Sequence, residues 1–118
     1  MPLPRLLPAL FYQLGFEDDG GQICLRVGGR VRVDLEQTPS TGFGWELDKT
    51  SAAFLRLEHQ AFQPNSPYTI APGSDGGILS IFFLATAAGE GQLKLVLARP
   101  DEDGLDICHS YAVSVNVL

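Results

Sequence analysis

Ile23-Cys24-Leu25-Arg26-Val27-Gly28-Gly29-Arg30-Val31-Arg32-Val33-Asp34-Leu35-Glu36 is the stretch whose reading decides the fold. On either side of the glycine pair the apolar residues keep to odd positions: Ile23, Leu25 and Val27, then Val31, Val33 and Leu35. A period of two is that of a strand buried on one face, and Gly-Gly between two such runs reads as a hairpin turn. The expectation is a hairpin of strands 23–27 and 31–36.

Outward from there the pattern repeats. Trp45-Glu46-Leu47 begins another strand, with Trp45 expected between two sheets, and Phe54, Leu55 and Leu57 mark a further one that continues through His59 to Phe62. Pro64 and Pro67 end regular pairing, because proline has no amide hydrogen to give to a ladder. Ile78 to Leu84 is a nearly continuous apolar run suited to a fully buried strand. Leu93, Leu95 and Leu97 alternate inward, and Tyr111, Val113, Val115 and Val117 carry the odd series to the C-terminus. Thirteen Gly and eight Pro separate these runs, which favours many short strands over long helices. The reading is an all-β, immunoglobulin-like sandwich of about seven short strands with scarce helix. Its expected core includes Val31, Val33, Leu35, Trp45, Ile81, Phe83, Leu95, Val113 and Val115. The 118 residues fit one domain, read as a lead segment over 1–22 and the folded domain over 23–118. Asn65 to Gly77, rich in proline and glycine, reads as a mobile loop.

A net charge of −6, with no cluster of Lys or Arg, argues against nucleic acid and anionic membrane surfaces as partners. No stretch is long enough to span a bilayer. Arg5 and the apolar run Leu6 to Phe11 invite comparison with a secretory signal, but Pro2, Pro4 and Pro8 interrupt it and no small-residue cleavage site follows. A cytoplasmic location is favoured on that ground, with periplasmic or secreted locations left open. Cys24 and Cys108 allow one disulfide pairing, and both fall on the phase opposite to the apolar residues of their strands. They could meet if those strands pair, or each could be an isolated thiol.

Catalytic parts do not assemble from this sequence. Cys108 and His109 are adjacent in an expected strand, where neighbouring side chains point to opposite faces, so a thiolate–imidazole couple is not expected. His59 reads as a polar residue on a solvent face. Two Cys and two His at long intervals lack the close ligand pairs of zinc sites. Asp101-Glu102-Asp103-Gly104 with Asp106 lacks the spacing and terminal Glu of a calcium loop and reads as a solvated acidic hairpin. Pro72 to Gly77 neither follows a strand nor opens a helix, which excludes a phosphate-binding loop. Neither an enzymatic activity nor a cofactor is expected.

The functional signal lies just after the opening stretch, in Thr38-Pro39-Ser40-Thr41-Gly42-Phe43-Gly44-Trp45. Pro39 fixes its own φ and pushes Thr38 towards extended geometry, Gly42 permits a positive φ, and Ser40 and Thr41 can hydrogen-bond back to the loop backbone. The octet resembles the Asn-Pro-Thr-Thr-Gly-Tyr-x-Trp signature of the chagasin-like inhibitors of papain-type cysteine peptidases, with Thr38 for Asn, Ser40 for Thr and Phe43 for Tyr. Two further elements follow in the family's order. Ser74-Asp75-Gly76-Gly77 is similar to its Gly-x-Gly-Gly loop, with Ser74 for the first Gly. Arg99-Pro100-Asp101 is similar to its Arg-Pro-aromatic hairpin, with Asp101 for the aromatic.

That resemblance implies a monomeric, reversible, non-covalent inhibitor whose partner is a papain-like cysteine peptidase. Three loops at one end of the sandwich would fill the active-site cleft: Thr38, Pro39, Ser40, Thr41, Gly42 and Phe43 over the catalytic groups, Ser74, Asp75, Gly76 and Gly77 on one side, and Arg99, Pro100 and Asp101 on the other. The alternative is a generic immunoglobulin-like interaction module, because Pro39, Gly42 and Pro100 are turn residues found in any β-sandwich.

Overall fold

The computed structural model describes residues 8–65 and 75–118. Seven strands carry it: β1 Ala9–Leu14, β2 Gln22–Gln37, β3 Gly44–Leu47, β4 Leu55–Pro64, β5 Gly77–Ala85, β6 Gly89–Asp101 and β7 Gly104–Val117. The helix among the described residues is confined to two single 3-10 turns, Phe16–Asp18 and Pro39–Thr41. The all-β expectation holds, with strand boundaries that differ in one informative way.

The expected hairpin at Gly28-Gly29 is instead a corner within one long strand, β2. Its first part, Gln22 to Leu25, pairs in parallel with Ser114 to Val117 of β7, whereas Arg30 to Gln37 pairs antiparallel with β5, Leu84 to Gly77. Gly28 takes φ +86°, a region in which only glycine is comfortable, and the chain bends from one layer into the other. One layer is therefore β3-β6-β7 with the start of β2, and the other is β1, the end of β2, β5 and β4. The hydrogen-bonded sheet is continuous through β2 and curls into a sandwich. Val27, expected inward, lies at the corner and is exposed.

Inside, side chains from both layers form one cluster that includes Leu25, Val31, Val33, Leu35, Trp45, Ile81, Phe83, Leu95, Tyr111, Val113 and Val115. All nine expected core residues are buried. The odd parity explains this: β2 and β7 each bring a run of alternating residues to the same interior. Tyr111 is buried with its hydroxyl donating to the Gly15 carbonyl at 3.1 Å. Burial pushes its pKa upward, and the nearby carboxylates of Asp18, Asp19 and Glu17 push the same way. It stays a neutral donor.

Ile78 to Leu84 is not buried on both faces. Leu79, Ile81 and Phe83 are buried inward, while Ile78, Phe82 and Leu84 are only half-buried on the outer face. That face is covered by long polar side chains: the Arg32 guanidinium lies 5.7 Å from the centre of the Phe82 ring, and His59 stacks on the same ring at 4.2 Å. Stems and flat rings shield apolar surface while keeping their polar atoms wet. Ser80 Oγ donates to Asp34 Oδ1 at 2.6 Å, and Arg32 and Gln13 donate to the same carboxylate.

Ala9–Leu14, within the lead segment, forms β1 and runs parallel to β2, Tyr12 opposite Val31 and Leu14 opposite Val33. Cys24 is buried and Cys108 exposed, and both are free thiols. Cys24 is aligned with Asn116, eight residues from Cys108 along β7, a span of roughly 26 Å of strand that no disulfide crosses. The mobile-loop expectation for 65–77 falls largely on residues 66–74, outside those described. Among the described residues no helix is long and apolar enough to cross a membrane.

Two outcomes follow for stability. A Cβ on Gly29 would sit 2.8 Å from the Arg26 carbonyl oxygen and 3.2 Å from that of Ala9, so Gly29→Ala should lower unfolding free energy in urea titration by about 1 to 3 kcal/mol. Burial pulls the Asp34 pKa upward, but the hydrogen bonds from Ser80, Arg32 and Gln13 overcome it and leave it below its ordinary value. A lowered carboxylate contributes fully above its unfolded pKa and loses that contribution as pH falls through the folded one. The melting temperature should therefore hold from about pH 7 to about pH 5 and fall below about pH 4, and Asp34→Asn should remove part of that fall.

Candidate functional site

The segment 38–43 leaves β2 in one layer and enters β3 in the other, so it lies across one end of the sandwich with an anchor in each. Trp45 provides one anchor. Its ring is buried, its Nε1 donates to the Glu36 carbonyl at 2.9 Å, and its backbone amide donates to Gln37 Oε1 at 2.9 Å. The two ends of the loop are thus tied to each other at its base.

Between those ends the local chemistry acts as the sequence implies. Thr38 is extended, at φ −122° and ψ 96°, and Pro39 opens a 3-10 turn that Gly42 ends at φ +80°. The Thr41 amide donates to the Thr38 carbonyl at 3.0 Å and the Gly42 amide to the Pro39 carbonyl at 3.0 Å. Thr41 Oγ1 donates to the Thr38 carbonyl at 2.7 Å and accepts from the Phe43 amide at 3.2 Å. Pro39, Ser40, Thr41 and Gly42 are nonetheless exposed. The result is a closed turn whose tip faces solvent.

Ser40 departs from the expectation that it bonds to its own loop. Its amide donates to Asp75 Oδ2 at 2.6 Å and its hydroxyl to Asp75 Oδ1 at 2.7 Å. The Ser40 hydroxyl and then its amide hold the Asp75 carboxyl below the usual carboxylate range. Gly76 lies beside Thr38, where a Cβ would come within 3.2 Å of Thr38 Oγ1. Gly77 is buried, and a Cβ there would strike the Gln63 carbonyl and come within 2.8 Å of Phe62 Cζ and Pro64 Cα. Its glycine therefore serves the β4–β5 pairing. Ser74 lies outside the described residues.

The third element meets the first from the other side. The Arg99 guanidinium stands 4.7 Å from the centre of the Phe43 ring, a cation–π distance, and its Nε donates to Asp106 Oδ2 at 3.1 Å. Arg99 is thus held by its own molecule. Pro100 and Asp101 are exposed and aligned with Leu105 and Gly104 across the β6–β7 hairpin. Of the site residues expected from sequence, the described ones come together at one end of the sandwich. Sequence reasoning missed Gln37, Asp106 and the Ser40–Asp75 pairing, whose members are 35 residues apart.

Cys108 and His109 do not alternate faces as expected. Leu97 is opposite His109 and Ala98 opposite Ile107, leaving Cys108 as the extra residue of a bulge. Both residues line an open cleft of about 780 Å³ that also touches Phe16, Glu36, Thr41 and Phe43. Bulges re-aim side chains in this way. Among the described residues no group of three or more His, Cys, Asp or Glu is placed to hold a metal ion.

The sandwich thus presents a closed, exposed turn at one end, braced from both sides by other parts of the same chain. The sequence model described as chagasin family peptidase inhibitor I42 matches residues 24–115, and the chain belongs to that family. Its members are peptidase inhibitors, not enzymes, and this sets aside the generic interaction module. Among solved structures, the cysteine protease inhibitor EhICP2 from Entamoeba histolytica is similar at a TM-score of 0.73 and 20% identity, over 92% of this chain and 96% of that one. Amebosin in solution is similar at 0.67 and 23%, over 90% and 96%. PbICP-C, solved in complex with falcipain-2, is similar at 0.50 and 14%, over 98% and 96%. These likenesses are in fold. No curated protein sequence matches the chain.

Arg99→Ala removes both the contact with half-buried Phe43 and the exposed Asp106 pair. It should cost under about 1 kcal/mol of stability while broadening the NMR signals of Thr41 to Phe43, whose bracing it removes.

Proposed function

We propose that the chain is a reversible, non-covalent inhibitor of papain-like cysteine peptidases that enters the active-site cleft with Thr38 to Phe43. Asp75, Gly76 and Gly77 flank the loop on one side and Arg99 to Asp101 on the other. The inhibitory unit is 23–118, with the lead segment 1–22 supplying β1 at its side.

The observation that carries this reading is the closed yet exposed turn. A peptidase cleaves a peptide bond that lies extended across its nucleophile. Here the carbonyls of Thr38 and Pro39 are already engaged by amides of the turn, so no extended bond is offered for attack and the inhibitor is not consumed. The loop is shaped before it binds, which reduces the ordering cost of association. Gly42 has no Cβ and lets the backbone approach the catalytic groups closely. The acidic tip Asp101-Glu102-Asp103 and the net charge of −6 favour a peptidase with a basic rim.

A panel of papain-like peptidases titrated with the chain and a fluorogenic substrate tests the proposal. At least one enzyme should be inhibited measurably, and inhibition of none at high micromolar concentration would reject it. Gly42→Leu should abolish inhibition. A Cβ at Gly42 has only Arg99 Cδ nearby, at 4.0 Å, so the stability cost is that of the positive φ alone, about 1 to 2 kcal/mol. Asp101→Trp places a large rigid apolar group beside the cleft and should tighten inhibition by about 1 to 2 kcal/mol.

A further inference from the structure

The 3-10 turn Pro39–Thr41 has an unmet need at its start. The first amides of any helical turn have no partner within it and ordinarily find one in the side chain of the residue just before. Thr38 occupies that position and makes no such bond. Pro39 has no amide hydrogen, so Ser40 carries the first free donor. Its partner comes from another part of the chain: Asp75 Oδ2 accepts from the Ser40 amide at 2.6 Å and Oδ1 accepts from the Ser40 hydroxyl at 2.7 Å.

We propose that Asp75 is a positioning residue that caps the inhibitory turn from the β4–β5 loop, so that inhibition by this chain depends on a bond between two of its own loops. This rests on the inhibitor reading given above. Two features separate the role from direct contact with a peptidase. Both carboxylate oxygens accept from Ser40, one from its amide and one from its hydroxyl, so the carboxylate is turned towards the loop of its own chain. The neighbouring Gly76 also packs against Thr38 closely enough that a Cβ would come within 3.2 Å of its hydroxyl, so the backbone beside Asp75 is set against the turn. Hydrogen bonds to an ionised group are shorter and stronger than neutral ones, and this pair fits that description. The lowered pKa of Asp75 keeps the carboxylate ionised at mildly acidic pH.

A double-mutant cycle on the full chain tests the idea, with inhibition constants and dissociation rates measured against a panel enzyme that the wild type inhibits. Asp75→Ala should weaken inhibition about tenfold, mainly through faster dissociation. Ser40→Ala, which keeps the amide bond, should weaken it about threefold, and the double variant should be no worse than Asp75→Ala. Asp75→Asn, which retains an acceptor oxygen, should recover part of the loss. In the free protein, exchange of the Ser40 amide should accelerate at least tenfold in Asp75→Ala, with a melting temperature close to that of the wild type. Unchanged inhibition by Asp75→Ala would overturn the proposal, as would losses that multiply in the double variant, since Asp75 would then act on the peptidase directly. If the wild type inhibits no enzyme of the panel, the inhibitor reading falls. The cap itself is still decided by Ser40 exchange, and unchanged exchange in Asp75→Ala would overturn it.

Discussion

One strand belongs to both layers. β2 pairs with β7 before its corner and with β5 after it, so the two halves of the sandwich are covalently and hydrogen-bonded parts of one surface. Gly28, at a positive φ, and Gly29, packed against the Arg26 and Ala9 carbonyls, let the bend happen without breaking the strand. Everything downstream inherits that geometry. Because β2 ends in one layer and β3 starts in the other, the connecting loop must cross the end of the sandwich, and a crossing loop is one that a partner can meet.

The crossing loop combines stiffness with exposure through a division of labour. Its own residues close the turn, since Thr41 and Gly42 bond back to Thr38 and Pro39. Its neighbours fix where the turn sits: Gln37 and Glu36 hold Trp45 at the base, Asp75 meets Ser40, and Arg99 covers Phe43 while paired with Asp106. The Ser40–Asp75 and Arg99–Asp106 contacts are exposed, and exposed ion pairs and hydrogen bonds contribute little individually to global stability. Their effect is on shape, which is where a binding loop gains from them.

Much of this was legible in the sequence. The odd parity of Val31, Val33, Leu35, Val113 and Val115 gave the core faces, because a strand with one dry side can satisfy water and interior only by alternation. The closed turn was readable from Pro39, Thr41 and Gly42, whose conformational preferences are local. Gly28-Gly29 was misread because the same pair suits a hairpin turn and a strand corner, and only the partner strands, β7 on one side and β5 on the other, choose between them. The bulge at Cys108 was hidden for a similar reason: it is set by pairing with Leu97 and Ala98, not by its own neighbours. Ser40 looked local and proved to be long-range. A hydroxyl next to a turn backbone carries no mark of a carboxylate 35 residues away.

Trp45 is the chain's single tryptophan, and its buried indole donates to the Glu36 carbonyl at the foot of the loop. All indole fluorescence therefore originates from the one place where the core and the loop share a residue. A buried, hydrogen-bonded indole emits at shorter wavelength than a hydrated one, so a red shift would register water reaching the loop base. The molecule thus carries an intrinsic optical reporter of whether its loop is still rooted in the core, with no label attached.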